Sequence, residues 1–159
     1  WTIMNYRVEE DFEYKGFRCV VVASVMGHRC GYVQIPKGHP YFAKSYDEIT
    51  DIDDNLSVHG GLTYGSSDSN YPVPTEGKVY WIGFDCRHGG DAEDMDILRE
   101  LNPRLYNFYK KHHSEGHVWT VDEVSDEIRR LVDQIVYRKA FKNNFVSWIN
   151  RIVKAVKGW

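Results

Sequence analysis

The sequence predicts an α+β fold in which a small, mostly antiparallel sheet is packed by C-terminal helices. Two observations predict it: segments rich in β-branched residues with a period of two lie before residue 90, and apolar residues at helical spacing follow it. Strands followed by helices are typical of α+β folds. The 159 residues suit one domain, divided into a sheet part at 1–90, helices at 91–134 and a basic amphipathic helical extension at 135–159.

The first predicted strands form a hairpin. The segment FRCVVVASV, from Phe17 to Val25, is rich in β-branched residues, and HRCGYVQI follows after a Met-Gly break. Pro36 ends this ladder because proline has no N–H to donate. The acidic segment DEITDIDDN, at 47–55, is expected to form a turn.

Two further extended segments complete the predicted sheet. LSVHGGLTY, at 56–64, carries paired glycines that indicate a bulge or a close backbone approach. A loop is expected over 65–77, where Gly, Ser, Asn, Asp and Pro supply turn geometry. The strand KVYWIGFDC, at 78–86, then sends alternate residues to opposite faces, which places Cys86 on the face of Phe84.

Helical signals begin at residue 91. Asp91 is expected to cap a helix that Pro103 limits, and a further short helix is expected around Phe108. The segment TVDE, from Thr120 to Glu123, matches a capping box, in which a hydroxyl and a carboxylate satisfy free N–H groups of the first helical turn. Apolar residues continue the helical period to Ile135.

The extension carries one apolar stripe around and beyond a break indicated at Asn143-Asn144. The stripe consists of Phe141, Phe145, Trp148, Ile149, Ile152, Val153 and Val156. The net charge is −4 for residues 1–90, −5 for 91–134 and +6 for 135–159. Opposite charge therefore favours docking of the extension on the acidic body of the same chain, while an acidic partner, nucleic-acid phosphates and a membrane surface stay open as alternatives.

The composition is that of a soluble protein, for which the cytoplasm is the expected compartment. No apolar run approaches the roughly 18 residues that a transmembrane segment needs, and the N-terminal residues lack the features of a secretory signal. The cysteines Cys19, Cys30 and Cys86 are few and odd in number. This count favours a reducing compartment over a disulfide framework.

Polar side chains gather where the last predicted strand ends. Asp85, Cys86 and His88 lie there, and His59 joins them if its segment neighbours this strand. An imidazole beside a carboxylate or thiol can act as a general base, so His59, Asp85 and His88 are the candidate catalytic residues of an enzyme. The favoured alternative is a structural junction, with Cys86 buried and Asp91 capping a helix.

Two further ligand hypotheses concern the same region. A zinc site of His28, Cys30, Cys86 and His88 is disfavoured because the two-residue His/Cys spacing is not that of a zinc knuckle, and no cofactor is assigned. A nucleotide-binding protein would stack a base on aromatic rings and hold phosphate with arginine, and core packing is the competing explanation. The candidates for nucleotide binding are Arg29, Tyr64, Trp81 and Arg87. The later histidines His112, His113 and His117 are expected to be exposed.

Four motifs resemble a family of small, mostly uncharacterised proteins encoded by phages and prophages of Gram-positive bacteria. The motifs are YRVEEDFEYKGFRCVVV, GHRCGYVQIPKGHP, VHGGLTYG and WIGFDCRHGGD. A helix of the type VDEVSDEIRRLVDQ follows them, so the resemblance spans about Tyr6 to Gln134. It implies a counter-defence protein in the host cytoplasm that binds and inhibits a defence factor, such as an anti-CRISPR-like inhibitor of a Cas nuclease.

An acidic run is the candidate surface for such a partner, since it can compete for a basic nucleic-acid groove. Its members are Asp47, Glu48, Asp51, Asp53 and Asp54. The alternative function is a small hydrolase or a nucleotide-binding or nucleotide-degrading protein that uses the His/Asp/Cys group at the strand end. The sequence leaves enzyme and binder both open.

Overall fold

The computed structural model of the protein describes residues 5–112 and 114–157, without the side chains of residues 139–142. Strands come first and the longest helix comes last. The elements are β1 (Tyr6–Tyr14), β2 (Phe17–Ser24), β3 (Arg29–Gln34), α1 (Tyr46–Ile52), β4 (Tyr64–Ser66), β5 (Trp81–Asp85), α2 (Met95–Leu101), α3 (Pro103–Tyr109) and α4 (Val121–Lys157).

The strands form one antiparallel sheet in the order β1-β2-β3-β5-β4. The prediction of an α+β fold is confirmed, and the predicted hairpin is β2 with β3. β1 is an additional edge strand, whose acidic and half-exposed residues hide its pattern in the sequence. β2 is an inner strand, and Cys19–Ala23 are completely buried because both faces of this strand are covered.

One face of the sheet, here the helix face, packs against α4. The buried apolar residues of α4 are Val124, Ile128, Leu131, Val132 and Ile135. They share one core with sheet residues Cys19, Val21, Val33, Ile82, Phe84 and Cys86. The alternation predicted for β5 is therefore confirmed, with Cys86 on the face of Phe84.

The opposite face, here the loop face, has a smaller core. It contains Val20, Val22, Cys30, Tyr32, Val73, Val79 and Trp81, with Tyr6, Tyr64 and Tyr71 packed against it. Most of the loop predicted at 65–77 lies here, although Gly65 and Ser66 pair in β4. The hydroxyls of Tyr32 and Tyr71 lie 2.6 Å apart, which fastens the loop to the sheet.

Two glycines make room for aromatic rings of the neighbouring strand. Gly31 pairs with Phe84, and Tyr32 pairs with Gly83. A Cβ on Gly31 would lie 2.6 Å from the Phe84 ring, and one on Gly83 would lie 2.5 Å from the Tyr32 ring. The missing side chains thus admit one ring into each core.

Two segments differ from the predictions. The acidic segment at 47–55, expected to be a turn, contains most of α1, because Ser45 and Glu48 form a capping box and Ile49 is completely buried. Residues 56–63, predicted to be extended, do not form a strand, and β4 begins only at Tyr64. Their glycines, Gly60 and Gly61, have φ angles of +66° and +81° and turn the chain instead.

The start of α2 also differs, whereas that of α4 is as predicted. Asp94 caps α2 by accepting hydrogen bonds from the first turn, so Asp91 lies before the helix and is not its cap. In the TVDE segment, the N–H of Thr120 donates to the Glu123 carboxylate at 2.8 Å and the N–H of Glu123 donates to the Thr120 hydroxyl at 3.3 Å. This confirms the capping box.

α4 is one continuous helix of 37 residues, without the break indicated at Asn143-Asn144. Arg138 pairs with Asp53 near the point where α4 leaves the sheet. Beyond it, every side chain described over 143–157 is exposed, so these residues do not dock on the body of the chain as expected. The side chain of Phe141 lies outside the described part. Across residues 5–112 and 114–157, no helix combines the length and apolar character that a bilayer span requires.

We expect Gly31→Ala to lower the free energy of unfolding by about 1–3 kcal/mol, because the added methyl group overpacks the core against Phe84 and Ile128. Gly89→Ala is the matched control, since a Cβ there meets nothing within 4 Å. Its stability should stay within about 0.5 kcal/mol of the parent protein. Chemical denaturation measures both, and equal stability of the two variants would contradict the described packing of β3 on β5.

Candidate functional site

The carboxylate of Asp91 accepts hydrogen bonds from three separate segments. Nε2 of His59 lies 2.8 Å from Oδ2, the backbone N–H of His88 donates to the same oxygen at 2.8 Å, and Nε1 of Trp119 donates to Oδ1 at 3.0 Å. Burial disfavours the charged carboxylate, but these hydrogen bonds outweigh it and lower the pKa of Asp91. Asp91 is therefore ionised at neutral pH and ties the three segments together.

His59 is oriented by this carboxylate. Because an ionised carboxylate only accepts hydrogen bonds, Nε2 of His59 is the donor to Asp91, and the neutral ring in this tautomer has its lone pair on Nδ1. No residue in the described ranges forms a hydrogen bond with Nδ1, and the side chain is 24% exposed. A ring held by a carboxylate at one nitrogen and open at the other is the arrangement of a general base.

α4 holds the backbone that carries His59. The N–H of His59 donates to Oε1 of Glu127 at 2.7 Å, and Glu127 is a buried residue of α4 that also pairs with Arg130. Ser57 exchanges hydrogen bonds with the side chain of Gln134 at 2.8 and 2.7 Å. The loop that carries His59 is therefore hydrogen-bonded to α4 at Ser57 and at His59, on both sides of Val58.

His88 packs directly on the glycine turn. A Cβ at Gly60 would lie 1.9 Å from Nε2 of His88, so only glycine fits there. The rings of His59 and His88 have centroids 5.4 Å apart. Nε2 of His88 lies 3.0 Å from the carbonyl oxygen of Asp85 and 3.5 Å from its Oδ1. His88 thus links His59 to Asp85, and the three predicted catalytic residues form one cluster.

Residues 117–119, just before α4, complete the cluster around His59 and Asp91. The N–H of His117 donates to the carbonyl of Gly90 at 2.8 Å, and the N–H of Ala92 donates to the carbonyl of His117 at 2.8 Å. This backbone pairing brings Trp119 next to His59, with ring centroids 4.3 Å apart. The ring centroids of Trp119 and His117 lie 5.6 Å apart. His117, expected to be only an exposed loop residue, is exposed but also contacts Trp119.

Arg29 is a structural residue and not a free phosphate ligand. Its guanidinium bonds to Glu9, to Asp94 at 2.8 Å and to the carbonyl of Trp119 at 2.8 Å. Burial opposes the charge, but the two carboxylates outweigh it and raise the pKa of Arg29. The guanidinium is thus occupied by groups of the same chain, so Arg29 is not placed to bind the phosphate of a nucleotide, as the sequence had suggested.

A cleft of about 370 Å³ opens on the loop face of the same strand end. It is lined by His28, Cys30, Tyr32, Thr63, Tyr64, Phe84, Asp85 and Arg87. Thr63 donates to the Asp85 carboxylate at 2.9 Å, and the N–H of Arg87 donates to it at 3.1 Å. Nδ1 of His28 is buried without a partner among the described residues, so a bound water or ligand polar group could satisfy it.

Two predicted site residues are buried in the cores. Trp81 is completely buried on the loop face, so its indole does not present a stacking surface. Cys86 lies in the core of the helix face, where burial raises the pKa of its thiol and disfavours the nucleophilic thiolate. Burial likewise raises the pKa values of Cys19 and Cys30 to about 12. Acid–base chemistry by imidazole fits this site better than thiol chemistry.

The four residues considered for zinc do not converge. Cys30 belongs to the core of the loop face and Cys86 to that of the helix face. Within the part of the chain that the structure describes, no three His, Cys, Asp or Glu side chains are grouped to hold a metal ion.

The acidic run lies away from this cluster, on and just after α1. Asp47, Glu48 and Asp51 are exposed on α1, and Asp54 is exposed after it. Glu48 also caps the helix, where hydrogen bonds from Ser45 lower the pKa of its carboxylate. Asp53 differs from the others because it is half-buried against Arg138.

Two site residues were missed by the sequence reasoning. Asp91 was assigned to a helix cap, and Trp119 carried no signal because its contact with His59 crosses 60 residues of chain. The aspartate in the GGD segment is the one available signal, since Asp94 offered an equally good cap three residues later. His113 lies outside the described residues.

Comparisons of this chain with protein-family models, with curated proteins and with solved structures find no match.

We expect Asp91→Asn to lower stability at neutral pH by about 1–3 kcal/mol, because its amide group would meet three donors with one accepting oxygen. The lowered pKa of Asp91 stabilises the folded state above the unfolded pKa of about 4, and this contribution is lost as pH falls through the folded pKa.

Unfolding free energies measured from pH 7 to pH 3 should accordingly fall less steeply for Asp91→Asn than for the parent protein. Asp126→Asn, at an exposed position of α4, is the control and should keep the parental slope. An unchanged slope for Asp91→Asn would contradict the three-donor site.

Proposed function

We propose that this protein binds a phosphate-bearing small molecule of the nucleotide class at the corner between β5 and α4 and hydrolyses it. The observation that carries the proposal is the pair of His59 and Asp91, with 2.8 Å between Nε2 and Oδ2. It leaves Nδ1 of a partly exposed imidazole without a partner in the described residues, in position to accept a proton from water.

In the proposed reaction, Nδ1 of His59 takes a proton from water, and the resulting hydroxide attacks the phosphorus of a phosphate ester. The bond from phosphorus to the leaving oxygen breaks, and that oxygen takes a proton from His88, which enters the reaction as imidazolium and lies next to His59. The proton that His59 has taken then passes through solvent to His88, which restores both rings for the next turnover. Asp91 stays ionised and stabilises the imidazolium that forms on His59.

The neighbouring cleft supplies binding groups for such a ligand. Arg87 is exposed at its rim and can meet phosphate, while the half-buried ring of Tyr64 offers a stacking surface. The carboxylate of Asp85 accepts hydrogen bonds and suits the amino group of a base. A volume of about 370 Å³ lies within the usual range of roughly 300–1,000 Å³ for small-molecule sites.

We expect His59→Gln to lower turnover by about 100-fold or more, because the amide keeps a donor for Asp91 but removes the basic ring nitrogen. The protein is incubated with a nucleotide library, and bound and free nucleotides are identified by mass spectrometry after denaturation. Altered nucleotide indicates hydrolysis, and intact bound nucleotide indicates a binding protein.

His112→Gln is the matched control, since His112 is exposed at the end of α3. It should turn over nucleotide at the parental rate. Recovery of neither bound nor altered nucleotide, or a parental rate for His59→Gln, would contradict the proposed hydrolysis.

A second candidate function is that of a phage-type counter-defence protein acting in the host cytoplasm by inhibiting a defence factor, such as a Cas nuclease. The resemblance of the motifs suggests this setting. The favouring observation is the acidic surface of α1, where Asp47 and Asp51 stand one turn apart and are both exposed. Carboxylates so arranged can compete with phosphates for a basic groove.

We expect the double variant Asp47→Asn/Asp51→Asn to lose inhibition of the nuclease, because its acidic surface is neutralised while the Ser45–Glu48 cap stays intact. Asp122→Asn/Asp126→Asn on α4 is the control with the same change of charge. Pull-down with purified Cas effectors and a DNA-cleavage assay measure the effect. Absence of any complex, or full inhibition by the α1 variant, would count against this function.

A further inference from the structure

We propose that the distal segment of α4, residues 143–157, binds the surface of a membrane that contains anionic lipids and lies in its interface. The segment is helical, and all of its side chains are exposed. The proposal is independent of the proposed hydrolytic site, whose residues lie outside α4 and contact the N-terminal part of this helix through Glu127.

The distal segment concentrates the exposed apolar surface of the molecule. Of the thirteen large apolar side chains exposed among the described residues, seven lie in it. They are Phe145, Val146, Trp148, Ile149, Ile152, Val153 and Val156. Trp148 is 56% and Phe145 is 53% exposed, and their rings stack with centroids 6.0 Å apart. An exposed apolar surface of this kind marks an interaction site.

These side chains form one broad face. At 3.6 residues per turn they cover an arc of roughly 160°, and the remaining arc carries Arg151, Lys154 and Lys157 with polar uncharged residues. Such a width exceeds the narrow seam that a coiled-coil partner helix would bury. A helix with Trp and Phe on one side and cations on the other is typical of helices that lie in a bilayer interface.

Charge identifies the lipid. Residues 143–157 carry three basic side chains, Arg151, Lys154 and Lys157, and no acidic one, so a surface with negative charge attracts the segment. Nucleic acid would meet the cations but leave the apolar face in water. A second copy would bring two cationic helices together. The acidic body of another copy offers only scattered exposed apolar residues, such as Val8, Ile52 and Phe108. An anionic bilayer satisfies both faces of the helix.

The test uses the full chain and sedimentation with vesicles of phosphatidylcholine, with and without phosphatidylglycerol. We expect binding to the anionic vesicles and an affinity at least about tenfold lower for the neutral ones. Trp148→Ser/Ile152→Ser should lower binding to anionic vesicles by about tenfold or more, and Arg151→Gln/Lys154→Gln should reduce the difference between the two lipids.

Ser147→Ala/Asn150→Ala, on the polar arc, is the control and should bind like the parent protein. Because all substituted side chains are exposed, the melting temperatures should stay close to the parental value. The proposal is overturned if the chain does not sediment with anionic vesicles. It is equally overturned if Trp148→Ser/Ile152→Ser abolishes a dimer seen by analytical ultracentrifugation but leaves vesicle binding intact, or if only nucleic acid is bound.

Discussion

The guanidinium of Arg29 holds together the parts of the chain on which the site depends. It lies at the start of β3 and bonds to Glu9 of β1, to Asp94 at the cap of α2 and to the carbonyl of Trp119 before α4. With these bonds in place, the Trp119 indole reaches Asp91. Removing one partner of a buried ion pair commonly costs about 3–5 kcal/mol, because the other charge is left uncompensated. The ion pairs and the hydrogen bond of Arg29 therefore connect the sheet, the start of α2, the segment before α4 and the candidate site.

The elements that could be predicted from sequence are those with local causes. The β2 and β3 hairpin, the alternation that places Cys86 beside Phe84 and the TVDE capping box depend on neighbouring residues alone. The capping box at Ser45 is also local, but the density of acidic residues around it favoured a turn. The segment before Tyr64 has the pattern of a strand, yet its glycines turn the chain, and Gly60 makes room for the ring of His88.

Three residues of the candidate site could be predicted from the sequence, but the residue at its centre could not. His59, Asp85 and His88 do meet, but the carboxylate that orients His59 is Asp91, and Trp119 completes the arrangement. The contacts that His59 and Trp119 make with Asp91 and with each other join residues 28 to 60 positions apart, and no local pattern encodes them. α4 likewise has a part buried against the sheet, up to Ile135, and an exposed part at 143–157. Sequence periodicity cannot distinguish them, because the spacing of apolar residues is the same in both.

The atom that Gly60 lacks has a consequence for recognising related proteins. Any side chain at that position would overlap the imidazole of His88, so a homologue that bears one must have displaced either the turn or the histidine. A glycine after the equivalent of His59, together with an aspartate three residues after the equivalent of His88, is thus a compact fingerprint of the whole arrangement. Distant chains that share the sheet without this fingerprint would be expected to have diverged in their chemistry.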